Sequence, residues 1–284
     1  MAAPSYAPRF GFSRTPFGKG SPTVGTPNSA ELSLQLGYLL ETKGIGVVTG
    51  QAGVGKTTGI REYLMGLSPM RYKVAYACLT TLTPMGFLQH LSDAFGLPRE
   101  YSKPALFASI QKHVAQLHDQ KGVVPVIVVD EADHLGNAVL HDLRMLMNYE
   151  MDSANKAVLV LAGLDRLQAM LASPQHEPLA QRVVANVRMR PLTQAEMKEY
   201  VAAKAKAAGS SADFLGEGAL QAVANAARGR RRRPRRACRG CSRRLRGSSA
   251  MTPRATAPSS GSAARRATSS IRNICRRRST SATC

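Results

Sequence analysis

"GIGVVTGQAGVGKTT", residues 44–58, decides how the rest of the chain is read. Its first part, Gly44–Thr49, is an apolar run of strand character, and "GIREYLMGL" (59–67) behind it has helical spacing. Between strand and helix, Gly50–Thr58 fits the pattern G-x-x-x-x-G-K-[ST]. Gly50, Gly53 and Gly55 allow the tight turn that aims the backbone N–H groups of Gln51, Ala52, Val54 and their neighbours at phosphate oxygens. The N-terminus of the helix that follows adds its positive dipole end. Lys56 is placed to reach the β- and γ-phosphates, and Thr57, followed by Thr58, offers a hydroxyl to Mg²⁺. The stretch from Gly50 to Thr58 is therefore the expected ATP site, with Mg²⁺ as its companion.

A second segment, "VPVIVVDEADHL" (124–135), supplies the other half of that chemistry. Asp130 ends a β-branched run, so its carboxylate emerges at the C-terminal edge of a sheet, where ligands of open α/β sheets sit. There it can hold Mg²⁺ through water. Glu131 comes next and can polarise a water that attacks the γ-phosphate, which points to hydrolysis rather than transfer to a small molecule. The letters "DEAD" at 130–133 invite a helicase reading. Such enzymes need a second domain of similar size, and the chain is expected to lack room for it.

Around these two segments, short apolar runs alternate with helical patterns: 44–49, 73–79, 124–130, 157–163 and 183–189 read as strands, and "VLHDLRMLMNYEM" (139–151) as one of the helices. Alternation of this kind implies crossover connections, hence an α/β fold with a mainly parallel five-stranded sheet and helices on both faces. The first 28 residues, rich in Pro, Gly, Ser and Thr, read as an extended arm in which Phe10, Phe12 and Phe17 are expected anchors. Thr193 and Glu196 are spaced as a capping box at the start of a helical segment, and "GEGALQAVANAARG" (216–229) reads as another helix.

The net charge of +21 is very unevenly spread. Residues 1–227 carry 21 Lys and Arg against all 18 acids, a balance of +3, and residues 228–284 carry the other 18 basic residues, every one an Arg. Of the five cysteines only Cys78 lies in the body, which fits a reducing, cytoplasmic setting. No apolar run reaches spanning length and the N-terminus has no signal-peptide core, so neither membrane nor secretion is expected. His90, His113, His134, His141 and His176 have no metal-ligand spacing.

Taken together, "FGFSRTPFGK", "GIGVVTGQAGVGKTT", "YACLTTLTP", "VIVVDEADHL", "DLRMLMNYEMDS", "LVLAGLDRL" and "LAQRVVANVRMRPLT" resemble the AAA+ ATPases of the general-secretion ExeA type, and more closely the transposition helpers of the TniB, TnsC and IstB kind. The resemblance runs over roughly residues 8–227. It implies an AAA+ core at 29–192, a partial helical lid at 193–228, assembly into a homo-oligomer on DNA without sequence preference, and work with a transposase. It also implies an arginine finger acting across a subunit interface, at Arg182. Two rival functions remain: a secretion-associated ATPase, and a nucleotide-dependent switch with no DNA partner. Two departures stand out. The position that senses the γ-phosphate in the family carries Leu164, and the "PR" motif that should follow "AARG" gives way to "RRRRPRRACRGC".

Residues 229–284 are expected to be a disordered, Arg-rich tail. The last 57 residues offer Leu245, Ile271 and Ile274 but no Val, Phe or Tyr, too little to bury. Arginine replaces lysine abruptly at the point where the family motif should begin, as out-of-frame reading of GC-rich DNA would produce; an evolved arm for nucleic acid is the alternative. "CRGC" at 238–241 has no second pair to complete a zinc site.

Overall fold

The computed structural model describes residues 11–13, 15–17, 21, 23–78, 82–210, 217–227 and 229. All of them fall in one compact unit, Met1–Gly240. Phe10, the "CRGC" cysteines and all of the expected Arg-rich tail beyond Gly229 lie outside the described residues.

Strands β1 (Gly44–Gly50), β2 (Tyr72–Ala77), β3 (Val124–Val129), β4 (Val158–Ala162) and β5 (Val183–Met189) form a sheet in the order β2-β3-β4-β1-β5. Every pairing is parallel. Helix α1 (Pro27–Thr42) precedes the sheet; parallel neighbours require crossovers, and the later helices supply them: α2 (Lys56–Met65), α3 (Pro84–Phe95), α4 (Lys103–Lys121), α5 (Asn137–Leu146), α6 (Asp165–Leu171) and the single turn α7 (Glu177–Ala180). Among the described residues no helix is long and apolar enough to cross a membrane.

The two-residue period of the strands sorts their side chains into two cores. Val126, Val128, Val158 and Val160 face α1 and α2, where Leu32, Leu36, Leu39 and Leu40 repeat at helical spacing. Ile127, Val129, Leu159 and Leu161 face α3, α4 and α5, against Leu88, Leu91, Ile110, Val114 and Leu143. Each such buried side chain contributes about 1.5–3 kcal/mol relative to exposure. Because β3, β4 and β1 are covered on both faces, they read as unbroken apolar runs. β5, at an edge, alternates buried and exposed. At Gly46 a Cβ would meet the terminal methyl of Leu39, so α1 packs close on β1 there and any side chain would make Leu39 shift.

The helix expected to run to Met151 stops at Leu146. Beyond it Glu150 and Met151 take left-handed backbone angles (φ 51° and 55°), and Tyr149 bridges Ala154 in antiparallel fashion. Lys156, mostly buried, pins this turn by pairing with Glu150 at 2.6 Å and Asp119 at 2.5 Å. In the arm, Phe17 is exposed and Phe12 half-buried, and Ser13 ties the segment to the body through its N–H and hydroxyl, which both donate to the Ala208 carbonyl at 2.9 Å.

After β5 come α8 (Gln194–Ala207) and α9 (Glu217–Ala227). Thr193 caps α8 reciprocally with Glu196: the Thr193 hydroxyl accepts from the Glu196 N–H at 3.3 Å, and the Glu196 carboxylate accepts from the Thr193 N–H at 2.8 Å. The two helices share a small core of Leu192, Met197, Tyr200, Val201, Ala224 and Ala227. Gly229 closes this unit: its carbonyl accepts from Leu192 N–H at 2.9 Å, with φ at 71°.

Candidate nucleotide site

The loop between β1 and α2 lies at the C-terminal edge of the sheet. Gly53 and Gly55 sit at φ 86° and 106°, angles that residues with a Cβ rarely adopt, so the turn depends on them. Val54, between them, is buried in the α1–α2 core and anchors the loop, while Gln51 and Ala52 face solvent. Gly50, at φ 151°, lies so close to the Met189 carbonyl that a Cβ would collide with it. Helix α2 starts at Lys56, with Gly55 as its left-handed cap and Thr57 and Thr58 in the first turn. The Lys56 ammonium folds back over the loop and donates to the carbonyls of Gly50 (2.8 Å) and Gln51 (3.1 Å). Burial lowers its pKa from the usual lysine value, against the opposing pull of Asp130, Asp133 and Asp165.

β3 delivers Asp130 to the same edge, where it is largely buried. The Thr57 hydroxyl donates to Asp130 Oδ2 at 2.7 Å. The N–H of Glu131 donates to Asp130 Oδ1 at 2.9 Å. A third donor was not foreseen from the sequence: the Tyr76 hydroxyl, reaching in from β2, lies 3.0 Å from Oδ2. Burial first, and then the charge of Asp130, push the Tyr76 hydroxyl above its ordinary pKa, so it remains a donor. Glu131 itself is exposed, and its backbone is left-handed (φ 55°, ψ 35°). Such a conformation costs a non-glycine residue about 1–3 kcal/mol and clusters at functional sites. It turns the chain sharply at the sheet edge, so Asp130 points inward while Glu131 faces solvent.

Asp133 was read only as part of "DEAD", and the structure gives it a separate place. Almost fully buried, it accepts from the Leu164 N–H at 3.1 Å and from Arg166 at 3.1 Å. Gly163 lies so near that a Cβ there would come within 2.9 Å of the Asp133 carboxylate. Asp133 thus ties the end of β3 to the end of β4, and with them the edge position of Leu164. No sequence signal distinguished this buried acid from its exposed neighbour.

Arg182 is not brought to the others. It precedes β5, and the register places Val183 opposite Ile45 and Met189 opposite Gly50. A seven-residue strand spans roughly 20 Å, so Arg182 sits at the opposite edge of the sheet from its own phosphate loop. Its guanidinium makes a long 3.5 Å contact with the Arg144 carbonyl.

What remains at the C-terminal edge is a glycine-turned loop at a helix N-terminus, a lysine above it, and a hydroxyl and a carboxylate converging from two elements. Hard oxygen donors suit Mg²⁺, and helix-start N–H groups suit phosphate, so these residues fit a magnesium nucleotide.

Comparison with known proteins points to a family with this fold. The AAA domain family matches residues 39–171. The chain is 35% identical over 228 residues to General secretion pathway protein A of Aeromonas hydrophila, a match covering 77% of this chain and 41% of that protein. It is 30% identical over 152 residues to ATP-dependent target DNA activator B of Escherichia phage Mu, covering 51% of this chain and 42% of the activator. The chain thus spans less than half the length of these relatives. Among solved structures, the ORC2 protein of Aeropyrum pernix, in its ADPNP–ADP complexes, superposes with a TM-score of 0.60 at 16% identity, over 84% of this chain and 68% of that one. With the β2-β3-β4-β1-β5 sheet, the phosphate loop and the Asp130–Glu131 edge, these likenesses make the chain a member of the AAA+ P-loop ATPases.

Proposed function

We propose that the protein binds ATP with Mg²⁺ at Gly50–Thr58, hydrolyses it, assembles on DNA and assists a transposase. The observation that carries the nucleotide part is the convergence of Thr57 and Asp130 at 2.7 Å beside Lys56. Lys56 would leave the loop carbonyls to neutralise phosphate charge, Thr57 and, through water, Asp130 would hold Mg²⁺, and the metal would supply charge compensation for the phosphates. Glu131, aimed at solvent one residue beyond Asp130, takes a proton from the attacking water. Arg182, a strand length from its own site, serves the site of a neighbouring copy.

Support for the DNA part comes from the likeness to the phage Mu protein, whose name makes it an ATP-dependent activator of target DNA. A second reading, an ATPase of the general-secretion type, is favoured by the 35% identity to the Aeromonas protein. DNA affinity of the full chain, measured without nucleotide, with ADP and with ATP at fixed salt, separates the two. Attraction of DNA to the arginines of residues 228–284 is a charge effect governed by salt, so fixed salt holds it constant across the three states. Tightening by ATP that disappears in Lys56→Ala supports the transposition reading; equal affinity in all three states removes it.

A further inference from the structure

We propose that Tyr76 is a positioning residue of the metal site: its hydroxyl, with those of Thr57 and the Glu131 amide, fixes Asp130 so that the carboxylate meets Mg²⁺ through water. This rests on the reading of Thr57 and Asp130 as the metal site.

A carboxylate offers about four acceptor positions. Three are taken: Oδ2 accepts from Thr57 at 2.7 Å and from Tyr76 at 3.0 Å, and Oδ1 accepts from the Glu131 N–H at 2.9 Å. The Thr57 hydroxyl can donate its proton to Asp130 and still offer a lone pair, so that bond would be compatible with a bound Mg²⁺. One acceptor position on Oδ1 is left, which suits a proton of metal-bound water. Without Tyr76, Oδ2 regains a position and the carboxylate gains freedom to turn about its own axis.

The placement of Tyr76 argues against a role in packing alone. It lies on β2, at the edge of the sheet, and is 43% exposed. It is nonetheless held in register, because Tyr76 pairs with Val128 and the Asp130 N–H continues the same ladder by donating to the Ala77 carbonyl at 3.0 Å. Tyr76 lines a cavity of about 440 Å³ together with Ile60, Leu64, Met65, Val74 and Val128, with Arg61 among them. Thr57 and Asp130 line the same cavity. An apolar residue would line it equally well, so the hydroxyl is the part the cavity does not explain.

The test measures Mg²⁺ dependence of nucleotide binding, independently of turnover. A fluorescent ATP analogue is titrated into the full chain in EDTA and at rising Mg²⁺, for the parent, Tyr76→Phe, Tyr76→Leu and Asp130→Asn, with melting curves for each. Loss of a group that orients a metal ligand typically costs about 10–100-fold in metal affinity. Tyr76→Phe is expected to raise the Mg²⁺ concentration for half-saturation by roughly that factor, leaving the affinity in EDTA unchanged. Tyr76→Leu should give the same shift. An unchanged Mg²⁺ requirement in Tyr76→Phe overturns the proposal, as does a shift confined to Tyr76→Leu, which would assign the effect to the ring. Should Asp130→Asn also leave the Mg²⁺ requirement unchanged, it is the metal-site reading that fails.

Discussion

Thr57 and Asp130, 73 residues apart in the chain, meet through one hydrogen bond of 2.7 Å at the C-terminal edge of the sheet. Thr57 owes its place to the glycine turn that starts α2, Asp130 to the end of β3, and β4 and β1 stand beside them in the sheet. Neither residue can move without disturbing an element with a buried apolar core. The hydroxyl and the carboxylate are therefore in place beforehand, and a metal bound beside them would not have to order them.

Lys56 is expected to matter for nucleotide and hardly at all for folding. Its ammonium is held by carbonyls of the loop itself, and its removal opens no cavity in either core. A hydrogen bond to a charged group is worth about 1.5–3 kcal/mol, so Lys56→Ala should weaken ATP binding by roughly ten- to a hundredfold. Its melting temperature should stay within about 2 °C of the parent. Fluorescence titration with nucleotide checks the first number and a thermal melt the second. Wild-type affinity in the variant would displace the site from this loop.

Glu131→Gln separates binding from chemistry. The amide matches the carboxylate in size and leaves the Glu131 N–H bond to Asp130 intact, but it cannot accept a proton from water. General-base groups contribute about 10²–10⁴-fold, and turnover should fall by that order while nucleotide and Mg²⁺ still bind. Equal phosphate release by variant and parent would take the base assignment away from Glu131.

How much of this was legible beforehand depends on whether the signal was local. The phosphate loop was, because glycines, lysine and threonine lie within nine residues and the turn they build follows from their own backbone preferences. The strands were too, since β3 and β4, buried on both faces, leave unbroken apolar runs. Asp130 and Glu131 were legible as a pair only because a strand ends there. Tyr76 was not: nothing in "KVAYACL" says that β2 pairs with β3 in a register bringing its hydroxyl to Asp130. Asp133 was hidden for a similar reason, as its partners Leu164 and Arg166 come from the far end of β4. The turn at Glu150–Met151 was missed because helical spacing continued past Leu146, while Lys156 and the Tyr149–Ala154 bridge held the chain otherwise.

Glu196 gives the α8 cap a pH signature. A bidentate pair with Arg190 (2.6 and 2.8 Å), and after it the Thr193 N–H, pull its carboxyl down from the ordinary carboxylate range to about 2. A depressed folded pKa stabilises above the unfolded value and loses that contribution as pH falls through the folded one. The stability difference between parent and Glu196→Gln should therefore be constant from neutral pH down to about 5, shrink below the unfolded glutamate range near 4.3, and vanish toward pH 2. The pair is partly solvent-exposed, so the plateau should be small, and 1 M salt should reduce it. Denaturant unfolding of both proteins across this range is the measurement, and a pH-independent difference would mean that the ion pair contributes nothing to the cap.

Arg182 lies at the N-terminal edge of β5 and the phosphate loop at the C-terminal edge of β1, the next strand, roughly 20 Å away. No arginine side chain covers that distance, so if Arg182 acts on a nucleotide it acts on that of another copy. A head-to-tail contact meets this condition, since it sets the N-terminal edge of one subunit against the C-terminal edge of the next. Such fingers are worth about 10³-fold or more in turnover. Arg182→Ala should thus be nearly inactive while binding ATP normally, because its own loop is intact. Glu131→Gln should be inactive for the opposite reason, with its finger intact and its base missing. When the two are mixed, some interfaces place an intact Arg182 from the Glu131→Gln subunit against an intact Glu131 in the Arg182→Ala subunit. Phosphate release by the mixture should then exceed both parents and peak near equal proportions. A mixture that never exceeds the sum of its components would show that Arg182 does not act across an interface.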